Sequence, residues 1–167
     1  MSALVRSVQP GDGDERTIVL GWLVFHRDAL EAKCHGLTDE QLVTRAAIPS
    51  HLSLLGLVRH MAEMERAYGV GIDVPRSSLT WVWGDYSNDE EHDFDCTAAD
   101  VAESFRAWRD ERSKTDAAIA RYANFDEIGE GNGRSVRWNL AKLVGEYARH
   151  NGHADIVRER IDGQTGE

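Results

Sequence analysis

The stretch SVRWNLAKLVGEYARHNGHADIVRERIDG, Ser135 to Gly163, decides the fold. A helix turns about 100° per residue, which places Val136, Leu140, Leu143, Tyr147, Ala154 and Ile161 within one arc of roughly 60°. So narrow an apolar stripe on so long a segment predicts an amphipathic helix with one buried face. Ser135 suits its N-cap, and Gly163 its stop. His150 falls about 20° outside the arc and Glu146 a further ~40° round, with His153 beyond it. Two side chains able to bind a metal ion therefore stand one turn apart on the border of the buried stripe.

Working outward, the same period recurs three times. Leu54, Leu57, Val58, Met61, Met64 and Tyr68 predict a helix over about 52–70, ended by Gly69 and Gly71. Asp14 suits the N-cap of a helix to about Cys34, with Ile18, Trp22, Phe25, Ala29 and Ala32 on its core face and Gly36 beyond its end. Thr97, with Asp100 behind it, caps a helix to about Tyr122 outlined by Val101, Phe105, Trp108, Arg112 and Ile119. Thr38-Asp39-Glu40-Gln41 is a capping-box pattern for a short helix that ends before Pro49.

Between Ile72 and Cys96 the periodicity disappears among Pro75, Trp81, Trp83, Tyr86 and a run of acids. Loops beyond about 12–15 residues are often functional, so this one is expected to wall or cover a site. Gly129-Glu130-Gly131-Asn132-Gly133 reads as a turn, because it lacks the strand that a phosphate-cradling glycine motif requires. It is assigned no ligand. Residues 164–167 are expected to fray. Four long helices without a convincing strand make an all-α, antiparallel four-helix bundle, with a long connection between the second and third. The whole chain, 1–167, is expected to be one domain.

Nineteen Lys and Arg against 29 Asp and Glu leave a net charge of −10, a surface that repels phosphate backbones and anionic lipid. Nucleic acid is therefore an unsuitable partner. The 41% apolar share is dispersed in short clusters, not gathered into the ~18-residue runs of a membrane span. Met1 to Asp14 lacks the layout of a secretory signal, so a cytoplasmic location is expected. Cys34 and Cys96 lie far apart, outside any Cys-x-x-Cys spacing, and are expected to be plain thiols.

The pair Glu146 and His150 has the i, i+4 spacing at which two helical side chains converge on one ion. The same spacing also serves solvated and capping pairs on ordinary helices. His60, at the fringe of the Leu57, Met61, Met64 stripe, could supply a third ligand if the helices pack suitably. Two imidazoles and a carboxylate suit zinc, nickel, iron or manganese and leave positions open to water or substrate. His153 could orient a ligand, touch substrate or stand exposed; His26, His35, His51 and His92 show no convergent spacing.

Beyond periodicity, Leu57-Val58-Arg59-His60-Met61-Ala62-Glu63-Met64-Glu65-Arg66 and Glu146-Tyr147-Ala148-Arg149-His150-Asn151-Gly152-His153-Ala154-Asp155 resemble the DinB-like metalloprotein superfamily, in its mini-circle protein branch. Asp14-Glu15-Arg16-Thr17 and Ile161-Asp162-Gly163-Gln164-Thr165-Gly166 fit that branch too. The resemblance implies a metal triad of His60, Glu146 and His150, similar to that of mycothiol-dependent maleylpyruvate isomerase. It also implies thiol transfer or isomerisation with mycothiol, bacillithiol or glutathione, the metal, zinc first, activating the thiol. Where relatives often carry a histidine one turn before the glutamate, this chain has Lys142.

The expected function is accordingly a divalent-metal-dependent thiol transferase or isomerase acting on a small-molecule substrate. Glu63, about 60° from His60 on its helix, is the candidate proton acceptor. Trp81, Trp83 and His153 are the candidate contacts for thiol or substrate. Two other readings share the triad: a non-catalytic metal-binding stress-response module, and a metal-dependent hydrolase. A homodimer is a further expectation from the resemblance.

Overall fold

Asp14 accepts a hydrogen bond from the Thr17 amide and starts α1, Glu15–Cys34, in the computed structural model, which describes residues 7–84 and 92–165. A reciprocal Thr38–Gln41 capping box then opens the short α2, Asp39–Leu42. Ser53 caps α3, Leu54–Met64, which continues as a π turn over Glu65–Gly69 and a 3-10 turn over Val70–Ile72. A Thr97–Asp100 box and the 3-10 turn Ala98–Asp100 lead into α4, Val101–Ile119. Ser135 accepts from the Trp138 amide to start α5, Val136–Asp162, and Gly163, at φ 78°, closes it in the left-handed conformation. Tyr86 and much of the acidic run lie outside the described residues, as do residues 1–6 and residues 166–167 of the expected frayed end.

The four main helices pack together, α1 chiefly on α5 and α3 on α4, and form the helical bundle expected, with no strand among the described residues. None of these helices is long and apolar enough to cross a membrane. The connection between α3 and α4 is the long irregular segment foreseen, with short 3-10 turns at Arg76–Ser78 and His92–Phe94. On α5 the expected arc holds: Val136, Leu140, Leu143, Tyr147 and Ala154 are buried, and Ile161 packs at its edge.

Elsewhere the buried faces differ from the apolar count. On α1 the stripe is Leu23, Arg27, Leu30 and Cys34, and of the five residues expected inward only Ala29 is buried. On α4 Trp108 and Ile119 face inward as expected, joined by Ser104, Glu111 and Thr115. After α3 it is Glu65 and Gly69 that are buried, whereas Met64 and Tyr68 sit half-exposed.

One polar network accounts for the burial of Arg27, Glu65 and Thr115. Arg27 donates to both oxygens of Glu65, each at 2.7 Å, and to Asp116 at 2.7 Å. Tyr147 Oη donates to Glu65 at 2.7 Å and accepts from Trp108 Nε1 at 2.8 Å, while Thr115 Oγ1 donates to the Glu65 carbonyl at 3.2 Å. Burial opposes the Arg27 charge, but Glu65 overcomes it and raises the guanidinium's pKa. A buried charged pair thus takes the place of two apolar side chains and ties α1 to the π turn that follows α3.

Candidate metal centre

His60 on α3 and Glu146 and His150 on α5 converge: one donor atom from each lies within 4.8 Å of the other two. This is the grouping that the helical spacing left open and the family resemblance implied. His60 and His150 stand with ring centres 4.5 Å apart, and His150 Nε2 lies 3.5 Å from Glu146 Oε2. Burial, followed by the neighbouring His60, His153 and Arg149, brings the His150 pKa down to about 4, so the ring is a neutral lone-pair donor at neutral pH.

The second tier of contacts aims these donors. Asp93 Oδ2 lies 2.7 Å from His60 Nδ1, leaving Nε2 to face Glu146 and His150. A carboxylate behind an imidazole fixes its tautomer and raises its basicity, the usual support of a metal-binding histidine. Asp93 is buried in the His92–Phe94 turn, which Arg59 holds by donating to the His92 carbonyl at 3.1 Å. The Phe94 ring stacks on His60 at 5.8 Å. Asp93 was not foreseen: within the run that includes Asp89, Glu90, Glu91 and Asp95, no spacing marks it out.

On the opposite side, Lys142 Nζ lies 2.6 Å from Glu146 Oε1, and Arg149 pairs with Oε2. Burial resists ionisation of Glu146, but the hydrogen bonds from Lys142 and Arg149 prevail and hold its carboxyl below the ordinary range. Lys142 therefore touches the centre directly. His153 reaches His150 through Nδ1 at 3.3 Å, which makes it a neighbour of a donor.

Glu63 and the two tryptophans occupy the cleft wall. Glu63 Oε1 accepts from the amides of Val82 and Trp83 at 2.8 and 2.9 Å, pinning that segment to α3. Its Oε2 is buried with no hydrogen-bond partner among the described residues, and burial pushes its pKa up. Trp83 is tied down: its Nε1 donates to the Arg59 carbonyl at 3.0 Å and its ring lies under the Arg59 guanidinium. Trp81 lines an open cleft of about 310 Å³ together with His60, Glu63, Met64 and Phe94. Of the two indoles, Trp81 alone belongs to that lining.

Neither cysteine offers a nucleophile. Burial pushes the Cys34 thiol up to about 12 and raises that of Cys96 as well, so both stay protonated near neutral pH.

A helical bundle that gathers two histidines and a glutamate from α3 and α5 has the architecture of the DinB/YfiT-like metal-binding proteins. Within that class the chain belongs to the Mycothiol-S-transferase (MST) family, whose model matches residues 18–163. No curated protein and no solved structure matches it.

Proposed function

We propose that this chain, within the mini-circle branch its motifs resemble, is a metal-dependent S-transferase that joins the sulfur of mycothiol to a small electrophile. The convergence of His60, Glu146 and His150 beside an open cleft carries this reading, with membership of the MST family supporting it. The donor set fits a divalent ion, zinc first, since it offers two imidazoles and a carboxylate, with Asp93 supporting one ring from behind. Such an ion keeps a net charge of about +1 and open positions, and so lowers the pKa of a thiol placed against it.

The chain's own groups do the rest. Glu63 Oε2, unpartnered and raised in pKa, accepts the thiol proton. The sulfur then forms the new bond to the electrophilic carbon as the leaving group departs with the bonding pair. His60 and Phe94, stacked together, and Trp81 across the cleft shield the reacting sulfur from water. The absence of a reactive cysteine among the described residues favours a thiol brought in from outside.

The test measures metal content and turnover together. Zinc-loaded protein is expected to alkylate mycothiol with a slow haloalkyl electrophile, and His60→Ala to lose both the ion and the turnover. Full occupancy in His60→Ala would remove the site; a loaded wild-type protein inert with every low-molecular-weight thiol would remove the activity.

A further inference from the structure

The cleft does not end at the metal centre. Arg76 and Trp81 line the space beside His60 and also a second space of about 170 Å³, walled by Tyr68, Asn132, Arg134 and Trp138. The far wall is firmly built. The Gly131 and Asn132 amides donate to the carbonyls of Ile72 and Gly71 at 2.8 and 3.1 Å, and the Asn132 side chain exchanges hydrogen bonds with Asn139 of α5. A side chain at Gly131 would run into the Gly71 carbonyl oxygen. The glycine run read as a plain turn is therefore what lets this loop close on the end of the second long helix.

Two cations face this space, each lying over an indole. Arg76 Cζ stands 5.5 Å from the Trp81 ring centre, and Arg134 Cζ 5.3 Å from that of Trp138. Among the described residues, no acidic side chain lines the space and neither guanidinium has an ion-pair partner. In a chain of net charge −10 the described lining of this second space is positive. A guanidinium over an indole retains its N–H donors, whose fork matches a planar carboxylate in two-point contact. Tyr68, Trp81 and Trp138 supply flat apolar faces for the rest of such a molecule.

Resting on the S-transfer reading, we propose that this second space binds the electrophile, and that the electrophile is a carboxylate-bearing molecule with a flat apolar body. Arg76 and Arg134 hold the carboxylate, and the reactive carbon points past Trp81 toward His60. Mycothiol sulfur bonds to that carbon, the leaving group takes the electron pair, and Glu63 receives the thiol proton.

The experiment compares 4-(chloromethyl)benzoate with its methyl ester, which present the same reactive carbon with and without the charge; chloride is the leaving group. With zinc-loaded protein and mycothiol, the KM for the acid is expected to be about tenfold below that for the ester, the order of a charge-assisted hydrogen-bond pair. In the double variant Arg76→Gln, Arg134→Gln the ratio falls toward one, whereas Arg106→Gln, an exposed charge on α4, preserves it. Equal KM values in the wild type, or a ratio that survives the double variant, overturn the proposal. In parallel, unreactive 4-methylbenzoate is titrated by tryptophan fluorescence without any thiol. Saturable quenching that the double variant loses is expected; quenching absent from the wild type, or retained in the variant, overturns the site. Arginine-dependent binding with no turnover of either chloride would remove S-transfer and leave the carboxylate site standing.

Discussion

Two buried polar clusters meet on adjacent residues of α5, Tyr147 belonging to one and Glu146 to the other. In the first, Arg27, Glu65, Asp116, Tyr147 and Trp108 answer one another, so that each carboxylate oxygen of Glu65 has a donor in place. In the second, lone-pair donors from His60, Glu146 and His150 converge within 4.8 Å of one another, and Asp93 Oδ1 and Glu63 Oε2 are buried without partners among the described residues. Similar residue types thus serve opposite ends. A closed set of charges fixes how the helices pack, whereas an open set keeps its bonding capacity for something that binds.

The sharpest way to break the closed cluster is Arg27→Met, which leaves Glu65 buried without its counter-charge. It is expected to cost about 3–5 kcal/mol in urea unfolding; a loss below 1 kcal/mol would mean that Tyr147 alone sustains the carboxylate. Next, Asp93→Asn tests the open cluster by weakening the support behind His60. Metal affinity, read by competition with a chromophoric chelator, is expected to fall about 10–100-fold, while unfolding of the metal-free protein changes little.

Tyr147→Phe separates the two clusters at their meeting point. Removing one hydroxyl from the closed network is expected to cost about 1–2 kcal/mol of stability, with metal affinity unchanged; a joint loss of both would show that the clusters are coupled. The smallest effect belongs to Lys142→Met. Its ion pair with Glu146 is 40% exposed on the lysine side, so stability should move by no more than about 0.5 kcal/mol. Metal affinity, measured by calorimetry, is expected to rise about two- to threefold because a cation competing for Glu146 has gone.

Helix positions were legible because caps and periodicity are local. Asp14, Thr38 and Ser135 begin their helices where expected, and Gly163 ends the last one. Faces were legible on α5, whose inward stripe is apolar, but not on α1 and α4, where Arg27, Ser104, Glu111 and Thr115 turn inward. A count of apolar side chains assigns charged residues to solvent, and only a partner from another helix reverses that assignment. Likewise Glu146 and His150 were visible one turn apart, and the resemblance pointed to His60, whereas Asp93, 33 residues further along in an irregular segment, carried no spacing to reveal it.

By itself, then, the sequence determined the helical bundle, the ends of its helices and the residue types able to hold a metal ion, because all of these depend on interactions within a few turns of one chain segment. The tertiary structure alone decided which charges are buried, which carboxylate stands behind His60, and that Arg76 and Arg134 share one cleft with Trp81. Those choices depend on pairs brought together across the bundle, where desolvation makes a charge costly until its partner arrives.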